Sequence, residues 1–294
     1  MESVVTVKGL TKKYSKFTLG ELDFELPKGF STALIGANGA GKTTLIDILC
    51  GVIHATDGSV RCFGEYDNLD SPELREKIGY CASSGFFPTS WTSKDIAISM
   101  QLAFKSFDRE KFERLCGEME VDGEHTKKAR PMYKQSDGNR MRISLAAVFA
   151  RETQLLVLDE PGSSLDPLMR DRLCDRMREY LDEGDGEKSI LFSTHNIADM
   201  ENAADYVIFM DKGRIIEQGF TEELKDKYII VHGEAGDYDK AKGMLLAHSL
   251  NRTMFDGLSL AENAGKLSEI GADSERPTLQ QLSVNLLKYA EEHR

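Results

Sequence analysis

With 294 residues, the chain can hold one large domain, or one domain and a small appendage. Its 40% hydrophobic and 29% charged residues describe an ordinary globular protein, and the net charge of −12 argues against a broad electrostatic footprint for nucleic acid. No stretch approaches the roughly 18 consecutive apolar residues of a membrane span, and the N-terminus lacks the basic, apolar and small-residue succession of a secretory signal.

Residues 1–35 read as short strands: Val4, Val5 and Val7 alternate loosely, Leu22 to Leu26 alternates cleanly, and Pro27-Lys-Gly29 turns into the apolar run Ala33-Leu34-Ile35. Directly after that run, Gly36-Ala-Asn-Gly-Ala-Gly-Lys-Thr-Thr44 fits G-x-x-x-x-G-K-[ST], and a helical pattern through Leu45, Ile46, Ile48 and Leu49 follows, ended by Gly51. Strand, glycine-rich loop and helix together make a phosphate cradle. Glycines let backbone N–H groups approach phosphate oxygens without a Cβ clash, and the helix N-terminus adds partial positive charge. Gly36, Asn38, Gly39, Ala40, Gly41 and Thr44 are expected to wrap the phosphates, Lys42 to reach the β and γ groups, and Thr43 to ligate Mg²⁺.

Asp57-Gly58 reads as a hairpin between short strands. From about residue 84 to 150 the pattern turns helical, with Ile96, Met100 and Phe104 and then Phe112, Leu115 and Met119 on shared faces. A buried strand, Leu155 to Leu158, ends in Asp159-Glu160-Pro161, and an amphipathic helix from Leu168 to Leu181 closes at Gly184-Asp-Gly186. A strand (Ser189 to Ser193), a helix (Ile197 to Ala204) and a strand pair around Asp211-Lys-Gly213 complete an α/β pattern with a mainly parallel sheet. Residues 221–294 are mixed and acidic; Pro277-Thr278 opens a last helix with Leu279, Leu282 and Leu286 on one face. Five dispersed cysteines without C-x-x-C spacing argue against a zinc site or a disulfide framework and suit a reducing cytosol.

A carboxylate at the end of an apolar strand is the second element a nucleoside triphosphatase needs. Asp159 is placed to hold Mg²⁺ opposite Thr43, and Glu160 to polarise an attacking water as general base.

With these elements in this order the chain resembles the ATP-binding cassette (ABC) ATPases over about residues 3–220. The resemblance implies a P-loop core with a mainly parallel sheet, an antiparallel β subdomain and an inserted helical subdomain at about 84–150, followed by an accessory extension, 221–294. Tyr14 lies where the family stacks an aromatic on adenine, or packs at a strand edge. Ser163-Ser-Leu-Asp166 matches a loop that touches the partner subunit, and Asp166 also suits a helix cap. His195 falls at the family's switch histidine, which holds the γ-phosphate and the attacking water, or is a hydrogen-bonded loop histidine. The Phe86-Phe-Pro-Thr-Ser-Trp91 loop lies where the family meets its membrane subunit, or is buried beneath the helices.

Two positions depart from the family. The signature L-S-G-G-Q falls on Gln135-Ser-Asp-Gly-Asn139; Ser136 and Gly138 remain as phosphate donors toward an opposite subunit, while Asp137 brings a negative charge. The glutamine expected after Ile78-Gly-Tyr80 is replaced by Ser83, which can hold a water near Mg²⁺ but spans less. The resemblance implies a cytoplasmic ATPase, peripheral at the inner face of the cell membrane. It would bind ATP and Mg²⁺, dimerise with a second cassette (homodimer or heterodimer) and drive a separate integral-membrane permease of export type. The departures leave a low-turnover nucleotide-dependent switch as the alternative. No nucleic-acid partner is expected from a single phosphate loop in an acidic chain.

Overall fold

A computed structural model describes residues 2–84, 86–121, 130–195, 197–198 and 200–293. Three strands open the chain, β1 (Ser3–Lys13), β2 (Thr18–Pro27) and β3 (Ser31–Gly36), followed by α1 (Lys42–Leu49), β4 (Asp57–Cys62), α2 (Pro72–Lys77) and β5 (Ile78–Cys81). Helices α3 (Ser93–Ala103), α4 (Arg109–Glu118) and α5 (Asp137–Phe149) come next. They lead into β6 (Leu155–Leu158), α6 (Pro167–Asp182), β7 (Ser189–Thr194), β8 (Tyr206–Asp211) and β9 (Arg214–Phe220). The remainder forms α7 (Thr221–Lys227), β10 (Tyr228–Glu234), α8 (Tyr238–Ala241), β11 (Leu245–Leu250), β12 (Met254–Leu260), α9 (Ala264–Glu269), β13 (Asp273–Glu275) and α10 (Leu279–Glu292).

The main sheet has the order β5-β6-β7-β3-β8-β9, parallel throughout except for the antiparallel β8–β9 hairpin. Strands β3, β6 and β7 are buried along their whole length, as parallel strands covered on both faces must be. Side-chain alternation then sorts the core into two layers. Leu34, Val157 and Leu191 face α1 and the antiparallel sheet β2-β1-β4, whereas Ile35, Leu158 and Phe192 face α5, α6 and α10. Parallel pairing brings the C-terminal ends of β6, β7 and β3 side by side, with Leu158 opposite Phe192 and Ile35 opposite Thr194. In open α/β sheets this edge is where ligands bind.

Two local expectations are corrected. Asp57-Gly58 is not a hairpin tip: it opens β4, which pairs with the distant β1. Gly58 has φ +86°, and a Cβ there would lie 2.3 Å from the Gly9 carbonyl oxygen, so the close approach of β4 to β1 calls for glycine. Among the described residues of the helix expected over 197–204, a single 3₁₀ turn forms, Glu201–Ala203, and Ile197, Met200 and Ala203 are buried. Asn196 and Asp199, within or beside that span, lie outside the described residues.

Helices α3, α4 and α5 pack together as the inserted subdomain, with α3 starting at a Thr92–Asp95 capping box. Beyond α7 the extension is a β-α-β-β-α-β unit whose antiparallel sheet has the order β11-β12-β10-β13, the arrangement of ferredoxin-like folds. It has a small core of its own around Val231, Phe255 and Leu267. Helix α10 then runs back, and Leu279, Leu282 and Leu286 enter the main core beside Phe209.

Candidate functional site

The loop between β3 and α1 is shaped by glycines where no other residue fits. A Cβ on Gly36 would lie 2.4 Å from the Met210 carbonyl oxygen, and Gly39 and Gly41 hold φ of +82° and +104°. Gly41 is the N-cap of α1 and offers no side-chain cap, so the first-turn N–H groups stay directed at the cavity above them. Lys42 is only 6% exposed; its Nζ donates to the Gly36 carbonyl at 2.8 Å and lies 3.2 Å from Glu160 Oε1.

The two carboxylates at the end of β6 sit in different environments. Asp159 is 1% exposed, with Thr43 Oγ1 donating to Oδ2 at 3.0 Å and Ser193 Oγ donating to Oδ1 at 2.6 Å. Glu160 turns upward through a left-handed backbone (φ +50°), which costs a non-glycine residue about 1–3 kcal/mol and is typical of functional turns. Its amide donates to Ser193 Oγ at 2.8 Å, and its Oε2 meets His195 Nδ1 at 2.7 Å. Lys42, Glu160 and His195 thus form one polar chain above the Thr43–Asp159 floor. A cavity of about 520 Å³ opens over them, lined also by Ser83, Ser163 and Phe17.

Thr43 and Asp159 offer two hard oxygen donors, the set with which Mg²⁺ is held when substrate phosphates and water supply the rest. The charge of Asp159 reaches its neighbours. Burial raises the Asp47 carboxyl above its usual range, the Tyr80 hydroxyl that donates to it at 2.9 Å works against that shift, and Asp159 reinforces it. Burial, with Asp159 adding to it, pushes the Cys81 thiol up to about 12, so this thiol is inert. A buried carboxylate surrounded in this way is stabilised by a cation.

The other expected residues divide into two groups. Asp166 caps α6, accepting from the Met169 amide at 3.0 Å, and Ser136 caps α5, accepting from the Asn139 amide at 3.2 Å. Gly138 passes so close to Ser164 that a Cβ would lie 2.7 Å from its carbonyl oxygen. Asp137 is exposed and bound to the Arg140 guanidinium. These loop residues do not line the cavity over Lys42. Asp137 borders a neighbouring groove of about 550 Å³, and Ser83 and Ser163 line both. Tyr14 is 47% exposed and stacks on Phe17, with ring centroids 6.5 Å apart; it is Phe17 that lines the cavity. The sequence reading gives no role in the site to Phe17 or to Ser193, which enters it only as the end of a strand. An aromatic three residues after Tyr14 and a hydroxyl two before His195 were the available signals. In the loop from 86 to 91, Phe86 remains 37% exposed while Phe87 and Trp91 pack partly on the core, their rings in a chain that continues to Tyr80.

Comparison with known proteins follows the same outline. A family model described as ABC transporter matches residues 19–163. An energy-coupling factor transporter ATP-binding protein of Methanospirillum hungatei is 30% identical over 282 residues, which covers 90% of this chain and 69% of the relative. An uncharacterised ABC transporter ATP-binding protein of Bacillus subtilis is 31% identical over 226 residues, 76% of this chain and 73% of the relative. A bacitracin transport ATP-binding protein of Enterococcus faecalis is 27% identical over 299 residues, 97% of this chain and 92% of the relative. Among solved structures, the ATP-binding subunit of an ABC transporter superposes with a TM-score of 0.65 at 25% identity, covering 76% of this chain and 92% of that one. A dimeric cassette bound to ADP and phosphate shares the fold, with a TM-score of 0.63 at 17% identity, over 74% of this chain and 98% of that one.

Proposed function

The chain belongs to the family of ABC transporter ATP-binding proteins, and on that premise we propose that it is the ATP-hydrolysing subunit that drives a separate membrane permease. The observation that carries this reading is the Lys42–Glu160–His195 chain standing over the Thr43–Asp159 pair at one end of a parallel sheet. ATP is the substrate, its phosphates wrapped by the loop from Gly36 to Thr44 and its base near Phe17 and Tyr14. A Mg²⁺ ion held by Thr43 and Asp159, with Ser83 in reach of its water shell, would neutralise charge on the phosphates. Lys42 neutralises the β and γ groups, Glu160 accepts a proton from the attacking water, and His195 orients both Glu160 and the γ-phosphate.

Ser136 and Gly138 of a second cassette complete the site, since within one chain they are not among the residues that line it. No described helix is long and apolar enough to cross a membrane. The reading has the cassette peripheral at the inner face of the cell membrane, bound to a separate integral-membrane permease. A cleft of about 310 Å³ lined by Leu74, Tyr80, Phe86 and Phe104, with Arg75 and Arg151 also on its wall, offers an aromatic and basic seat for it.

The test is Mg²⁺-ATP turnover of the purified chain beside two variants, with mass followed by light scattering. Lys42→Ala is expected to lose nucleotide affinity by roughly 10-fold or more, as loss of a charge-assisted phosphate contact would. Glu160→Gln is expected to keep ATP, lose turnover by roughly 100-fold or more and accumulate an ATP-dependent dimer. Unaltered turnover in Glu160→Gln would remove the general-base assignment. Tight ATP binding and dimerisation with negligible turnover in the native chain, even beside a permease, would favour a nucleotide switch, which Ser83 and Asp137 motivate.

A further inference from the structure

We propose that Ser193 is a positioning residue that joins Asp159 and Glu160 into one rigid unit, setting both metal retention and the aim of the general base. The proposal rests on the reading of this site as a Mg²⁺-dependent ATPase. Strands β6 and β7 are neighbours with Leu158 opposite Phe192, so the next residue on each, Asp159 and Ser193, also lie together. Ser193 is fully buried. Its hydroxyl has one proton and two lone pairs, and both of its partners permit only one polarity. The Glu160 amide can only donate and does so at 2.8 Å; the Asp159 carboxylate can only accept and does so at 2.6 Å. The relay therefore runs one way, from Glu160 N–H to Ser193 Oγ–H to Asp159 Oδ1.

Both ends of that relay need holding. Thr43 occupies Asp159 Oδ2, so the Ser193 hydroxyl fixes the rotation of the carboxylate on the other oxygen. Glu160 stands in a left-handed conformation that its own side chain disfavours, and the bond to Ser193 pins the amide at that turn. Its carboxylate can then meet Lys42 and His195 at once. Alanine at this position would leave a buried carboxylate oxygen and a partly buried amide without their partner. A hydroxyl that merely satisfied a strand would change stability and nothing else. A hydroxyl that orients a ligand and a base changes the metal requirement and kcat.

The experiment compares wild type, Ser193→Ala, Ser193→Thr, Glu160→Gln and the Ser193→Ala/Glu160→Gln double variant. It measures turnover, melting temperature, and binding of a fluorescent ATP analogue as a function of Mg²⁺ concentration. Ser193→Ala is expected to lose kcat by about 10- to 100-fold and to need about 10-fold more Mg²⁺ for analogue binding, while KM for ATP at saturating Mg²⁺ moves by less than about threefold. Ser193→Thr, which keeps the hydroxyl, recovers most of both. In the Glu160→Gln background the alanine still shifts the Mg²⁺ requirement but costs no further turnover. If Ser193→Ala does not fold, Ser193→Cys, a similar volume with a weaker donor, carries the same expectation. A native kcat and Mg²⁺ requirement in either variant, or a full additional loss of turnover in the double variant, overturns the proposal. Absence of turnover in wild type would strike the ATPase reading instead, and the Mg²⁺-dependent binding would still decide the role of Ser193.

Discussion

On the proposed function, Asp137 carries its charge toward the triphosphate of a second cassette, yet its carboxylate is tied to Arg140 one turn along α5. An exposed pair of this kind adds little to stability, about 0.2–1 kcal/mol; its larger effect is to fix where the charge points. Arg140→Ala should release Asp137 toward incoming phosphate and weaken the ATP-dependent dimer of Glu160→Gln by about 2- to 5-fold, and adding Asp137→Gly should restore it. Dimer dissociation constants from sedimentation, at low and high salt, decide this; no change in either variant would make the pair incidental. The substitution itself is legible in the sequence, but its neutralisation by Arg140 is a matter of side-chain direction. The same divide runs through the site. Lys42, Thr43, Asp159 and Glu160 lie in strand-end and loop patterns that point to their chemistry, His195 was marked only by the family resemblance, and the structure brings the five together. Ser193 acts across two strands far apart in sequence, and Phe17 reaches the cavity from a β1–β2 turn, so no spacing announces them.

At the scale of elements, strands with a clean pattern were readable and crossings were not. The buried runs before Gly36 and Asp159, short and each ending at a loop motif, read as interior parallel strands and form them. The partner of β4 depends on contacts made far along the chain. The C-terminal strands were hidden because their faces mix apolar and ionisable residues. His232 on β10 shows why: Nδ1 lies 2.6 Å from Asp256 on β12 and Nε2 lies 3.6 Å from Glu275 on β13, so one imidazole links three strands. The hydrogen bond to Asp256 chiefly raises its pKa above the ordinary 6.5, burial opposes the shift, and Glu275 adds to it. With a folded pKa above the unfolded one, the stabilisation is fully present below about pH 6.5 and is lost as pH rises through the raised value. Solvent screening keeps it small, since His232 is 37% exposed. The wild type should therefore be more stable than His232→Gln near pH 5.5, and the gap should close near pH 8.5. Denaturation midpoints at both pH values check this; a gap independent of pH would mean that the charged link is not formed.

Across the whole molecule, the decisive element is the last one. The ferredoxin-like unit has only a small core of its own, too little to hold a unit of its size firmly by itself. Helix α10 leaves that unit and inserts Leu279, Leu282 and Leu286 among residues of the main sheet, including Ile35 on the strand that carries the phosphate loop. Ile230 and Leu258, from the unit's central strands, join the same cluster. An apolar cluster shared by both parts implies one cooperative transition. Leu282 is fully buried, and truncation to alanine removes its contacts and leaves a cavity, a loss of about 2–5 kcal/mol. Leu282→Ala should thus lower the unfolding midpoint of the cassette and of the C-terminal unit together. Fluorescence of the single tryptophan, Trp91, reports on the cassette, and amide exchange in β10 and β12 reports on the unit. ATP at about 100 times its dissociation constant should stabilise the native chain by about 2.7 kcal/mol and slow exchange in β10 and β12 as well as in β3. Exchange in those two strands that ignores ATP, or a separate early transition in Leu282→Ala confined to them, would show that the shared core does not couple the two parts.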